Sequence, residues 1–190
     1  MNKLICLLGK SGSGKSTLES IINDTGYVNK IISTTTRKRR SYEVDSKDYY
    51  FISEEVFKIY LKQGQYAEWS TYTTVDGEAY YGINKNDIHL DKGNAICVIN
   101  VSGYEQLINN LGEDKVVGIY ITRDDRERVI STLERDKSDF ENTLDEVYRR
   151  FKADKIDFEG IENKVKYIIE NKDLHDTVQQ IINIIEEETK

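Results

Sequence analysis

The sequence predicts an α/β fold, three layers deep, with a mostly parallel central sheet covered by helices on both faces. Two observations carry this. Short apolar runs suited to buried strands alternate along the 190 residues with amphipathic stretches of helical spacing. The first of these strands also runs straight into a glycine-rich loop and then a helix. A third observation marks an insertion: residues 65–83, "QYAEWSTYTTVDGEAYYGI", alternate in polarity, are rich in Thr and Tyr and contain Asp-Gly. That pattern predicts an antiparallel hairpin between two β-α units.

Taken in order, strands are expected at "KLICLL" (3–8), "YVNKIIS" (27–33), "DYYFI" (48–52), "AICVINV" (95–101), "VVGIYIT" (116–122) and "VKYIIE" (165–170). Helices are expected at 15–24 and 53–64, where apolar residues recur at i, i+3/i+4, with Ser53 near the N-cap of the second. The helix over 102–112 ends at a glycine, as helices commonly do. The charged stretch 124–157 reads as two helices broken near "DKSDFENT", and "LHDTVQQIINIIEE" as a final amphipathic helix. The strand at 48–52 is expected to join the hairpin in a small β-rich subdomain. Proline is absent, so Gly, Asn, Asp and Ser do all the punctuation.

Composition bounds the function. An apolar fraction of 38% and a charged fraction of 32% exclude a disordered chain and a membrane protein. No apolar run approaches the ~20 residues that span a bilayer. The N-terminal "MNKLICLL" leads into the loop rather than a cleavage site, so a cytoplasmic protein without a membrane partner is expected. A formal net charge of −7 argues against nucleic acid as a partner. Cys6 and Cys97 lie in apolar runs and read as small buried hydrophobes rather than a disulfide or zinc site. His89 and His175 belong to no recognisable constellation. The chain is short enough for one domain, residues 1–190, either as a monomer or as a homodimer.

Gly9-Lys10-Ser11-Gly12-Ser13-Gly14-Lys15-Ser16 fits the phosphate-binding pattern G-x-x-x-x-G-K-[ST]. Glycines let backbone N–H groups converge on a phosphate, and the following helix adds its positive end. Lys15 is then the residue reaching the β- and γ-phosphates. Ser16 is the hydroxyl ligand for Mg²⁺, and Thr17 continues the cradle. ATP and Mg²⁺ are the expected cofactors. "NKND" at 84–87 resembles a GTPase base-reading motif, but it follows the hairpin instead of a buried parallel strand and reads as a polar helix start. "TTTRKRRSYE" gathers Arg37, Lys38, Arg39 and Arg40 in an acidic chain. A short positive focus of this kind suits a small anionic substrate better than a long polyanion.

The chain resembles the guanylate kinase family almost end to end. "STTTRKRRSYEVDSKDYYF" (33–51) is similar to the family's GMP-binding segment, and "AEW" with "YYG" (67–69 and 80–82) to its nucleobase hairpin. "AICVINVSG" is similar to its central strand, "LERD" and "VYRRF" to its arginine-bearing lid, and "IIENKDL" to the loop that lies against adenine. The resemblance implies a P-loop NTPase-type three-layer fold with a central parallel sheet, an inserted small β-rich NMP-binding subdomain (approximately 33–83) and a helical lid (approximately 123–157). The core is then 1–32, 84–122 and 158–190. It also implies ATP-dependent phosphoryl transfer to GMP.

The resemblance implies roles for particular residues. Arg37 and Arg40 match the family's phosphate-gripping arginines, an arrangement suited to bidentate donors. Tyr49 and Tyr81 match tyrosines whose hydroxyls meet the same phosphate. Glu68 matches the carboxylate that accepts from guanine N1–H and the 2-amino group, and Ser33 a hydroxyl near O6. Asn100 stands at a substrate position and Asn171 in the adenine loop. Arg135 and Arg150 match the lid arginines, with Arg149 as the alternative to Arg150. Lys38 and Arg39 are expected to face solvent. The chain departs from the pattern at four places. Val98 and Asn100 stand where acidic residues are usual, and Ile83 where a hydroxyl follows "YYG". The hairpin is about four residues longer than usual, and Lys38, Arg39 and Tyr42 replace prolines and a glycine. Two other functions remain open at this point: the same chemistry on another phosphorylated acceptor (dGMP, another nucleotide or a ribose phosphate), and a non-catalytic module that binds partner proteins.

Overall fold

The computed structural model describes residues 1–74, 77–135 and 140–190, without the side chains of 135, 140–143 and 146. The chain runs β1 (Leu4–Leu8), α1 (Lys15–Asp24), β2 (Asn29–Lys30), β3 (Thr34–Thr35), β4 (Tyr50–Phe51) and α2 (Glu54–Lys62). The hairpin follows as β5 (Tyr66–Thr74) and β6 (Gly77–Asn84), then β7 (Ala95–Val98) and α3 (Val101–Leu111). Last come β8 (Val116–Thr122), α4 (Asp125–Arg135), α5 (Phe140–Asp157), β9 (Tyr167–Glu170) and α6 (Leu174–Thr189).

A five-stranded sheet in the order β2-β7-β1-β8-β9 forms the middle layer, and every pairing in it is parallel. All of β1 is buried, which is why its sequence is a continuous apolar run instead of an alternating one. Leu4, Cys6 and Leu8 pack on one face with Tyr104 and Leu107 of α3 and with Phe158 and Ile161. Ile5 and Leu7 pack on the other with Leu18 and Ile22 of α1 and Val178, Ile181 and Ile185 of α6. Each fully buried aliphatic side chain contributes about 1.5–3 kcal/mol, and the two faces together make the three layers. Cys6 and Cys97 are free, buried and 3.7 Å apart across the β1–β7 pairing. No helix among the described residues is long and apolar enough to cross a membrane.

The second sheet has the order β4-β3-β6-β5. β5 and β6 pair antiparallel, with Thr74 opposite Gly77; the expected turn at Asp76-Gly77 falls partly on residues 75–76, outside the described ones. The register slips between Tyr66 and Glu68, so Tyr66, Ala67 and Glu68 are all buried. A bulge of this kind re-aims side chains, and here it turns Glu68 inward. β5 is an edge strand, yet its edge is occupied. Gln106 of α3 accepts from Trp69 N and donates to Trp69 O, at 3.1 and 2.9 Å, and Asn110 Nδ2 donates to Ala67 O at 2.7 Å. α2 is capped by Ser53, whose side chain accepts from Val56 N, and its Phe57 stacks on Tyr66 with ring centroids 4.3 Å apart.

Several element boundaries differ from expectation. The strand expected over 27–33 contracts to Asn29–Lys30, because the chain leaves the parallel sheet beyond Ile31 to start the second one. The strand expected over 95–101 ends at Val98, since the Asn100 side chain caps α3 by accepting from Gly103 N. β3 has no counterpart in the expected elements, and "NKND" forms a single 3-10 turn at Lys85–Asp87 instead of starting a longer helix.

Candidate active site

The loop between β1 and α1 is shaped from three directions. Gly12 has φ +79°, and a Cβ there would lie 2.3 Å from the carbonyl oxygen of Arg128, so only glycine fits. Asn171, just past β9, donates from Nδ2 to Ser13 O at 2.9 Å, while Thr177 donates to its Oδ1 at 3.2 Å. Arg128 of α4 donates from Nε to Ser11 O at 2.8 Å, and Asp154 of α5 accepts from Ser11 N at 2.8 Å. Arg128 and Asp154 also pair with each other at 2.7 Å, and the guanidinium lies 4.5 Å from the Phe151 ring centroid. Both residues are buried. Lys15 begins α1 and donates to Lys10 O at 3.0 Å and Ser13 Oγ at 3.3 Å. Ser16 and Thr17 are exposed in the first turn, where the helix leaves its N–H groups without internal partners.

The basic stretch is organised around one carboxylate. Glu43 receives Arg37 in a two-pronged pair at 2.7 and 2.5 Å and the Arg40 backbone N–H at 2.8 Å. Arg37 lies 5.1 Å from the Tyr49 ring centroid and 5.6 Å from that of Phe51. Burial opposes the charge on Arg37, but the Glu43 hydrogen bonds outweigh it and raise its pKa. Burial likewise opposes the Glu43 charge, and the same hydrogen bonds hold its carboxyl below the usual range. The Tyr49 and Tyr81 rings meet edge-on at 6.0 Å, and burial pushes the Tyr49 phenol up to about 12. Arg40 reaches the Tyr42 hydroxyl at 3.2 Å. Lys38 and Arg39 are exposed.

Glu68 stands apart from these cations. Only 5% of it is exposed, and burial pushes its carboxyl up to about 7, partly offset by a hydrogen bond from the Ile83 backbone N–H. Its Oε2 lies 2.5 Å from where a Cβ on Gly103 would stand, so α3 approaches β5 through a residue with no side chain. Asn100 accepts from Gly103 N at 2.7 Å and donates from Nδ2 to the Tyr72 hydroxyl at 2.5 Å. Glu19 of α1 is also buried and pairs with Lys30 at 3.2 Å; burial raises its carboxyl against the opposing pull of Lys30.

A family model described as guanylate kinase matches residues 1–188. The chain belongs to the guanylate kinase family. A guanylate kinase from Mycoplasma mobile is 30% identical over 196 aligned residues, covering 98% of this chain and 93% of the relative. One from Wolbachia pipientis is 29% identical, covering 97% and 90%. Among solved structures, the guanylate kinase of Anaplasma phagocytophilum superposes with a TM-score of 0.71 at 25% identity, over 98% of this chain and 86% of that one. The guanylate kinase family is one of nucleoside monophosphate kinases, and the α/β fold with its parallel sheet agrees with that neighbour.

Set against the residues that the guanylate kinase resemblance singles out, the structure gathers Arg37, Arg40, Tyr49 and Tyr81 into one cluster. Gly9 to Gly14 form one loop, and Lys15 and Ser16 open α1 behind it. Ser33 lies at the entry to β3, where its carbonyl accepts from Tyr50 N. Asn171 braces the loop, and both ends of the Asn100 amide are engaged within the protein. Arg149 and Arg150 lie half-buried on α5. Arg135 ends α4, and its side chain lies outside the described residues. Sequence reasoning missed Arg128, Asp154, Tyr72 and the partner role of Glu43. Glu43 alone had a visible signal, as the acidic end of the basic motif.

Proposed function

We propose that the protein transfers the γ-phosphoryl group of ATP to GMP, giving ADP and GDP. The observation that carries this reading is Glu68. A carboxylate this buried needs donors, and guanine presents two side by side, at N1 and its 2-amino group. Adenine offers neither, so Glu68 would reject it. Residues 33–83 would then hold the acceptor, 123–157 would form the lid, and the remainder would form the core.

In the transfer, an oxygen of the acceptor phosphate attacks the γ-phosphorus in line, through a loose transition state. Arg37 and Arg40, with the Tyr49 and Tyr81 hydroxyls, would hold that phosphate and offset its repulsion from ATP. Arg37 keeps its pairing with Glu43 on one edge, and that fixes the direction in which its other N–H groups point. Lys15 and the loop N–H groups would carry the β- and γ-phosphates. Mg²⁺, when bound, neutralises charge on the phosphate oxygens. The exposed Ser16 hydroxyl fits such an ion, which keeps most of its water and takes few protein ligands. Arg135 and Arg150 would close over the transferring group and exclude water.

The test is coupled turnover with ATP and Mg²⁺ against nucleoside monophosphates and ribose phosphates. GMP should be the preferred acceptor, and Lys15→Ala should lower kcat by at least about a hundredfold. Turnover of another acceptor with none of GMP would reject the reading, and absence of any ATP-dependent transfer would leave a binding module.

A further inference from the structure

Tyr72 has no part in the reaction as set out above, yet its phenol stands among the groups that would meet the acceptor base. The Asn100 amide orientation is fixed by what surrounds it. Gly103 N–H can only donate, so the atom that it meets is Oδ1 and the atom facing Tyr72 is the donor Nδ2. The phenol oxygen therefore accepts, and its own proton is left for another acceptor. The ring is held as well: it meets Tyr81 edge-on, at 5.4 Å and 86°, and Tyr81 meets Tyr49 in turn.

Its neighbours give this proton a purpose. Asn100 caps α3 and Gly103 belongs to its first turn, where it abuts the Glu68 carboxylate. Glu68 and the Tyr72 hydroxyl are thus held against one helix end, one as an acceptor and the other as a donor. Opposite Glu68 in the hairpin, Ile83 is fully buried and offers only its backbone N–H. Burial raises the Tyr72 phenol, so it stays protonated and able to donate near neutral pH.

We propose that Tyr72 determines acceptor specificity by donating its hydroxyl proton to the ring carbonyl of a base whose adjacent N–H groups bind Glu68. The ligand class is a lactam edge, a carbonyl beside an N–H, which in the reaction proposed above is guanine O6 beside N1–H. The inference rests on that reading.

The experiment compares GMP with 6-thio-GMP, which keeps N1–H and the 2-amino group but replaces O6 with sulfur, a weak acceptor. In Tyr72→Phe, kcat/KM for GMP should fall about tenfold, through KM, while 6-thio-GMP loses about threefold or less. The preference for oxygen over sulfur should therefore shrink. Because both acceptors are assayed on one sample, partial unfolding cancels from the ratio. A melting curve shows whether the variant folds. Equal losses for both acceptors, or no loss for GMP, would overturn the proposal while leaving the function intact. No turnover of GMP by the unmodified protein would overturn the function and this proposal with it.

Discussion

Glu68 shows how much one carboxyl changes when the chain buries it. Its ordinary value is 4.5 and its value in the fold is about 7. The folded protein therefore favours the protonated form, so this group's contribution to stability is present below about pH 4.5 and is lost as pH rises through about 7. Binding of a base that brings N–H donors needs the charged form, so the two trends run in opposite directions. Between about pH 6 and about pH 8, KM for GMP should fall while the melting temperature of the free protein drops. Glu68→Gln should flatten both trends, and a KM that rises with pH would contradict this account. The residue was legible in "AEW" before "YYG", but its inward turn was not. That turn depends on the bulge at Tyr66–Glu68, a two-against-one pairing that the alternation of a strand conceals. For Asn171 the motif gave the position, while the Ser13 carbonyl that its amide holds left no mark in the sequence.

Elements were legible where long apolar runs form central strands, as in β1, β7 and β8, because burial on both faces leaves an uninterrupted signal. They were illegible where pairing lasts two residues. β3 is Thr34–Thr35, too short to show any period, and only its partners β4 and β6 define it. The link between α4, α5 and the phosphate loop was hidden for another reason: Arg128 and Asp154 sit in a charged stretch whose residues look alike in sequence. Their pair is buried, and breaking a buried pair by removing one partner costs about 3–5 kcal/mol. Asp154→Ala leaves Arg128 only the exposed Asp125 carboxylate, and Ser11 N without its acceptor. Denaturant titration should show a loss in that range. The surviving folded fraction should bind ATP more weakly, with KM for the acceptor little changed. A stability change below about 1 kcal/mol would show that the pair is solvated.

The whole molecule joins two sheets with different rules. The parallel one is buried on both faces, and the other carries the hairpin and the cation cluster. Between them α3 serves both, since its Tyr104 and Leu107 pack under β1 while its Gln106 and Asn110 bond the edge of β5. The closest approach is at Gly103. A Cβ there would meet Glu68 Oε2 at 2.5 Å and Ile99 Cγ1 at 2.8 Å, so Gly103→Ala must move either the helix or the carboxylate. KM for GMP should rise about tenfold or more while ATP affinity is retained, and unchanged acceptor kinetics would show that the gap between the sheets yields freely.

The bracing of the phosphate loop has a thermodynamic consequence. Ordering a free backbone costs about 1–2 kcal/mol per residue, and a loop that takes shape only around its ligand meets that cost when it binds. Here Asn171, Arg128 and Asp154 hold Ser11 and Ser13 from within the protein. That entropy is surrendered during folding, so the phosphates of the proposed reaction would meet a backbone already ordered.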